Sequence, residues 1–387
     1  MPIINRIADY HDEMTAWRHD IHAHPELAFE EQRTSDIVAR QLESFGIEIH
    51  RGLAKTGVVG VLKNGDGPSI GLRADMDALP ILEANSFDYK STNDGKMHAC
   101  GHDGHTSMLL GAAKYLAETK RFSGTVHFIF QPAEEGEGGA RVMIEEGLFD
   151  QFPCDSVYGV HNKPGQDVGT FAVCPGALMA AYDTFEINIQ GRGSHAAMPH
   201  QSIDPIIVGS QIVSSLQTIA SRNLDPLESA VISVTQFHGG STNNVIPDLV
   251  FMEGTTRCFK PEIRDWLESS MRRIVDNTAA VFGAEIAFDY QRRYPPTINH
   301  VAETAIAARI AADVAGEANV DANTTPMMGG EDFSFMLEKV PGCYLFIGNG
   351  PGEDGCMLHN PHYDFNDEIL PVGATYFSRL VESVLSV

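Results

Sequence analysis

The chain has 387 residues, 43% of them hydrophobic and 20% charged. That composition supplies core for about two or three domains and excludes intrinsic disorder. With 27 Lys and Arg against 52 Asp and Glu, the formal net charge is −25. Such a field repels a phosphate backbone or an anionic membrane, so nucleic acid and membrane are not expected partners, although a local cation cluster or metal could still hold a small anionic substrate. No run approaches the roughly 18 apolar residues of a membrane span, and the opening MPIINRIADYHDEM lacks the basic-then-apolar layout of a signal peptide. The six cysteines are scattered without CxxC spacing, as expected for reduced thiols in a cytoplasmic protein.

In chain order, residues 4–23 and 30–45 show helical spacing, with Gly46 as a C-terminal stop. Short apolar runs follow at Val58 to Leu62, Ser69 to Leu72, Val126 to Phe130 and Val157 to Val160. Runs this apolar predict strands buried on both faces, with a helix over about 104–119 between two of them. The expectation is an α/β layout, a mixed sheet covered by helices.

Near residue 182 the pattern changes. Residues 184–190, TFEINIQ, alternate with period two, as in a sheet with one wet face. Asp204-Pro205 opens a helix, strand-like runs fall near 230–237 and 248–258, and Pro261 opens a second helix stopped by Gly283. The alternating run 285–290 completes a β-α-β-β-α-β order, that of a ferredoxin-like α+β sandwich. The expected organisation is therefore a large domain of residues 1–182 and 293–387 with a smaller domain, 183–292, inserted. Helices near 301–315 and 370–386 and a strand at 343–348 return to the first domain.

The densest chemistry is His98-Ala-Cys100-Gly-His102-Asp103-Gly-His105. A thiol, imidazoles and a carboxylate this close could chelate a transition metal, or could form a polar helix start capped by Asp103 with solvated histidines. Other candidates fall just past predicted strands: Asp75 and Asp77 after 69–72, Glu134 and Glu135 after 125–130, His161 after 156–160. In helix-covered α/β sheets ligands bind at the carboxyl ends of strands. Adjacent carboxylates after a buried strand are costly unless cations or protons compensate, and side chains on neighbouring extended residues diverge, so one can bind metal while the other faces a water. The alternative for this pair is an acidic helix start. Taken alone, His359, His195 in its glycine-rich turn, Asn243 and Arg257 are weak signals.

These residues sit in motifs that resemble the metal-dependent aminoacylase and carboxypeptidase G family of amidohydrolases, closest to the branch of hippurate hydrolases and indole-acetyl amino acid hydrolases. The motifs are HPELAFEE (24–31), RADMDALP (73–80), HACGHDGH (98–105), QPAEEG (131–136), GVHN (159–162), GRGSHAAMP (191–199), NVIPD (244–248), GGEDF (329–333) and LHNPHYDFND (358–367). The resemblance implies two divalent metal ions (zinc, manganese, cobalt or nickel) held by Cys100, His102, Glu135, His161 and His359, with the thiolate shared. It implies Glu134 as general base, His195 as an oxyanion donor reaching the partner subunit's site, and Asn243 and Arg257 as grips on the substrate. The wider family uses a His-x-Asp metal motif where this chain reads Arg73-Ala-Asp75, which leaves Asp75 to orient a ligand from behind. It further implies hydrolysis of N-acyl amino acids by a homodimer joined through the 183–292 domain, which would also act as a lid. Two other classes compete: a metal-independent thiol hydrolase using Cys100, which a chelator would leave active, and a non-catalytic binder of amino acid conjugates.

Overall fold

The apolar runs beyond residue 57 assemble into the middle of one eight-stranded sheet. Its order is Glu48–Arg51, Val58–Asn64, Gly124–Gln131, Ser69–Asp75, Ser156–Pro164, Gly342–Gly350, Phe171–Ala172 and Val320–Asp321. The computed structural model describes residues 3–351 and 355–386. The four central strands run parallel, while Val58–Asn64 joins them antiparallel. Gly342–Gly350 is buried along its whole length, which explains its near-continuous apolar sequence.

Helix His102–Thr119 is buried on every side from His102 to Ala113, which requires packing on several elements at once. Gly111 lets helix His11–His22 approach, because a Cβ there would stand 2.2 Å from the Met14 sulfur. The expected helix over 4–23 is a short turn, Asn5–Ala8, followed by His11–His22, and that over 30–45 is Gln32–Ser44.

The chain divides into two compact units, one of Met1–Leu178, Ile298–Thr325 and Asp332–Val387, the other of Met179–Thr297 and Pro326–Glu331. The second holds a four-stranded antiparallel sheet in the order Ala230–Gly239, Leu249–Cys258, Ala181–Gln190, Glu285–Tyr294. Helices Pro205–Thr218 and Pro261–Phe282 supply Val208, Ile212, Leu216, Leu267, Met271 and Val275 to its core. Asp204 caps the first of these, accepting from the Ile206 amide.

Strand Ala181–Gln190 begins three residues before the run read from hydropathy, because the inward position at 183 is an aspartate. Asp183 is buried against the Arg264 guanidinium (Nε 2.9 Å) and accepts from the Arg293 amide and the Tyr290 hydroxyl. Among the described residues no helix is long and apolar enough to cross a membrane, and all six cysteines are free.

Candidate metal centre and active site

Parallel register aligns the carboxyl ends of the central strands, pairing Asp75 with Gln131. Past these ends lie Asp77 and, after Pro132 and Ala133, Glu134 and Glu135. His161 lies inside its strand, which continues to Pro164. Cys100 and His102 flank Gly101, whose φ of 95° starts helix His102–Thr119 and where a Cβ would press within 2.4 Å of Asn162 Oδ1. His359 follows the last strand of the group in a loop, at φ 63° with its amide bonded to the Ala99 carbonyl at 2.7 Å. That backbone state is one non-glycine residues avoid, and strain of this kind concentrates at functional positions.

These segments bring their donor atoms together. Sγ of Cys100 and ring nitrogens of His102 and His161 lie within 4.8 Å of one another, as do Cys100, Glu135 and His359. His102, Glu134 and Glu135 form a third such set. Nε2 of His359 is 3.2 Å from Glu135 Oε1. His102 donates Nδ1–H to the Asp77 carbonyl at 2.8 Å, which leaves Nε2, buried and without a hydrogen-bond partner, as the ring atom on the side of the cluster. Thiolate, imidazole and carboxylate are the donor set of zinc and its neighbours, so these residues fit divalent ions.

The supporting contacts depart from the sequence reading. Asp75 takes His105 Nδ1 at 2.6 Å and Arg73 at 2.7 Å, and its approach to His102 Nε2 is 3.7 Å. His102 is oriented by Asp77, which also accepts the Glu135 amide at 3.0 Å. Asn162, unremarked within GVHN, accepts on its carbonyl from His161 Nδ1 at 2.7 Å. Arg18 and His22, from helix His11–His22, hold Asp103 at 2.8 Å each. Asp103 is therefore a buried ion-pair partner, and His98, His102 and His105 are all buried rather than solvated.

The electrostatics favour a cation. Burial disfavours a charged His102, but the carboxylates of Asp75, Asp77 and Glu135 outweigh it and push its pKa up to about 10. Burial, and then the charges of Glu135, Glu134 and Asp75, hold the Cys100 thiol well above its ordinary range. That is the opposite of an activated nucleophile. Burial and neighbouring His105 hold His161 well below its ordinary value, keeping the ring neutral. Burial likewise pushes His98 down to about 4.

The remaining candidates lie on the second unit. His195 is exposed on a two-residue strand paired with Val245–Ile246. Its Nδ1 accepts from the Ala197 amide at 3.1 Å, which leaves Nε2–H as a donor. Asn243 is exposed in the loop before Val245. Arg257 lies on strand Leu249–Cys258, 4.3 Å over the Tyr182 ring, and donates to the Thr255 hydroxyl and Thr256 carbonyl.

The chain is similar to known proteins along nearly its whole length. The sequence profile of Peptidase family M20/M25/M40 matches residues 71–383. The chain is 42% identical over 381 residues to a hippurate hydrolase of Campylobacter jejuni, with 98% of each covered. It is 42% identical over 379 residues to an N-acetylcysteine deacetylase of Bacillus subtilis, covering 97% of this chain and 98% of that one. A crystal structure of the Bacillus subtilis YXEP protein, described as a dinuclear metal binding peptidase of the M20 family, matches with a TM-score of 0.84 at 39% identity. It covers 98% of this chain and 99% of its own.

Proposed function

The chain belongs to peptidase family M20/M25/M40, and on that premise we propose that it is a metal-dependent amidohydrolase of N-acyl amino acids. Hippurate-like or N-acetylated substrates would yield a carboxylic acid and a free amino acid. The observation that carries this reading is the pair of donor triads, Cys100 with His102 and His161, and Cys100 with Glu135 and His359, which share one sulfur. They would hold two divalent ions, with zinc, cobalt, nickel and manganese the metals the donors admit.

When bound, such ions acidify water and polarise a carbonyl oxygen. The chain's own groups do the rest. Glu134 takes a proton from the attacking water and delivers it to the departing amine nitrogen. Asp77 and the Asn162 carbonyl keep His102 and His161 in the tautomers that turn Nε2 inward. His195 Nε2–H donates to the developing oxyanion, and Arg257 with Asn243 grips the substrate carboxylate.

His195 would serve the partner subunit of a homodimer built through the smaller unit. Strand Ala230–Gly239 supports this, since it is a sheet edge exposed from Thr235 to Gly239. A cytoplasmic location accords with six free thiols. Amine release from a panel of N-acyl amino acids, hippurate included, tests the reading. Activity abolished by chelation and restored by a divalent metal supports it, whereas activity that survives metal removal would return Cys100 as nucleophile. Mixing Glu134→Ala and His195→Ala subunits should regenerate activity if His195 works across the dimer.

A further inference from the structure

The turn that presents Glu134 and Glu135 has an uncommon backbone. Ala133, just before the proposed base, sits at φ 58°, a left-handed conformation that side-chain-bearing residues avoid. The turn and the helix that follows it are tied down at three amides by three buried or half-buried contacts to carboxylates from elsewhere in the same unit. Asp77 takes the Glu135 amide at 3.0 Å, Asp332 takes the Ala140 amide at 2.9 Å, and Glu31 takes the Ala133 amide at 3.0 Å.

Asp77 and Asp332 also serve neighbours, Asp77 holding His102 and Asp332 holding Arg73 and Gln131. Glu31 is different. It comes from the HPELAFEE segment, it is 0% exposed, and its other bonds go to the Phe29 amide (3.0 Å) and the Thr56 hydroxyl (2.7 Å). Phe29 is itself left-handed at φ 63°. One buried carboxylate therefore clamps two strained backbone positions, one of them adjacent to the base. Burying a carboxylate is expensive, and a residue contributing only to packing would not need to be an acid.

We infer that Glu31 is a positioning residue for Glu134: its carboxylate holds the Ala133 amide and so fixes the turn from which the base meets its proton. The inference rests on the proposed role of Glu134. Misplacing a reacting group by about 1 Å costs up to about 100-fold in rate. Glu31→Ala should therefore lower kcat by about 10- to 100-fold, with KM changed by no more than about threefold and metal content unchanged. Amide exchange at residues 133–135 should quicken in the same variant.

Two further variants separate positioning from mere packing. Glycine adopts φ near +58° freely, so Ala133→Gly added to Glu31→Ala should restore at least about fivefold of the lost kcat. Glu31→Gln keeps an acceptor for the Ala133 amide, so it should fold and turn over within about threefold of the parent even if Glu31→Ala does not fold. Parental kcat in Glu31→Ala, no rescue by Ala133→Gly, or a folded Glu31→Gln as impaired as Glu31→Ala would each overturn the inference. Failure of the functional reading would show separately, as parent protein without chelation-sensitive activity. Amide exchange at 133–135 then decides the clamp on its own, unchanged exchange in Glu31→Ala overturning it.

Discussion

Nε2 of His161 stands 3.4 Å from the sulfur of Cys100, while Nδ1 of the same ring is tied to the Asn162 carbonyl at 2.7 Å. A carbonyl oxygen only accepts, so Nδ1 carries the proton and Nε2 turns its lone pair toward the sulfur. The thiol proton is held between them, since burial and the carboxylates around Cys100 resist its loss. Exchanging that proton for a divalent ion gives the sulfur the positive neighbour it lacks and brings both donors into use, so metal binding should release a proton.

The adjacent carboxylates should separate by experiment. Glu134→Gln is expected to cut kcat by about 100- to 10,000-fold while metal content is kept, because it removes a proton acceptor and leaves the proposed donors in place. Glu135→Gln is expected to lose metal first and activity in consequence. Steady-state kinetics combined with elemental analysis of each variant reads the difference, and equal metal loss in both would merge the two roles.

In the smaller unit, stability should depend on one buried ion pair. Asp183 neutralises Arg264 and also satisfies Tyr290 and the Arg293 amide. Asp183→Ala leaves the guanidinium buried without its counter-charge, which costs about 3–5 kcal/mol. Denaturant unfolding of the full chain should show the transition of this unit moving to lower concentration. An unchanged transition would mean that water or another acceptor replaces the aspartate.

Glu31 also predicts a pH dependence. Burial, reinforced by the charge of Asp77, raises its carboxyl from an ordinary 4.5 to about 7, against the opposing pull of the Thr56 hydroxyl and of backbone amides, Ala133 among them. A raised carboxyl is protonated in the folded chain where the unfolded chain has already ionised. Stability from this group is therefore full below about pH 4.5, falls as pH rises to about 7 and is flat beyond, a loss on the order of 3 kcal/mol. Glu31→Gln has no such proton to lose. Unfolding free energies of parent and variant, taken across this window at equal metal loading, should converge at low pH and part above it in the variant's favour. Parallel curves would contradict the assignment.

Much of the fold was legible because hydrophobic burial repeats. Two-sided burial made the central strands of the large sheet visible, and the alternation at 185, 187 and 189 made the inserted sheet visible. Asp183 interrupted that alternation, since a satisfied buried carboxylate looks like a surface residue in hydropathy. At the candidate site, residue types past the strand ends carried the signal. The contacts behind them carried none: Asp77 holding His102 and Glu31 holding Ala133 join segments far apart in sequence, and Asn162 holds the adjacent His161 through a backbone carbonyl, which hydropathy does not register. The left-handed backbones of Ala133 and His359 left no trace either, neither residue being a glycine.

The most direct test of the account is a metal titration of chelated protein, with hydrolysis of an N-acyl amino acid measured at each addition. Two triads sharing Cys100 predict activity absent at the start and rising to a break at about two equivalents of divalent metal per chain. Full activity before any metal is returned would contradict a metal-dependent reaction, and saturation at one equivalent would contradict the shared sulfur.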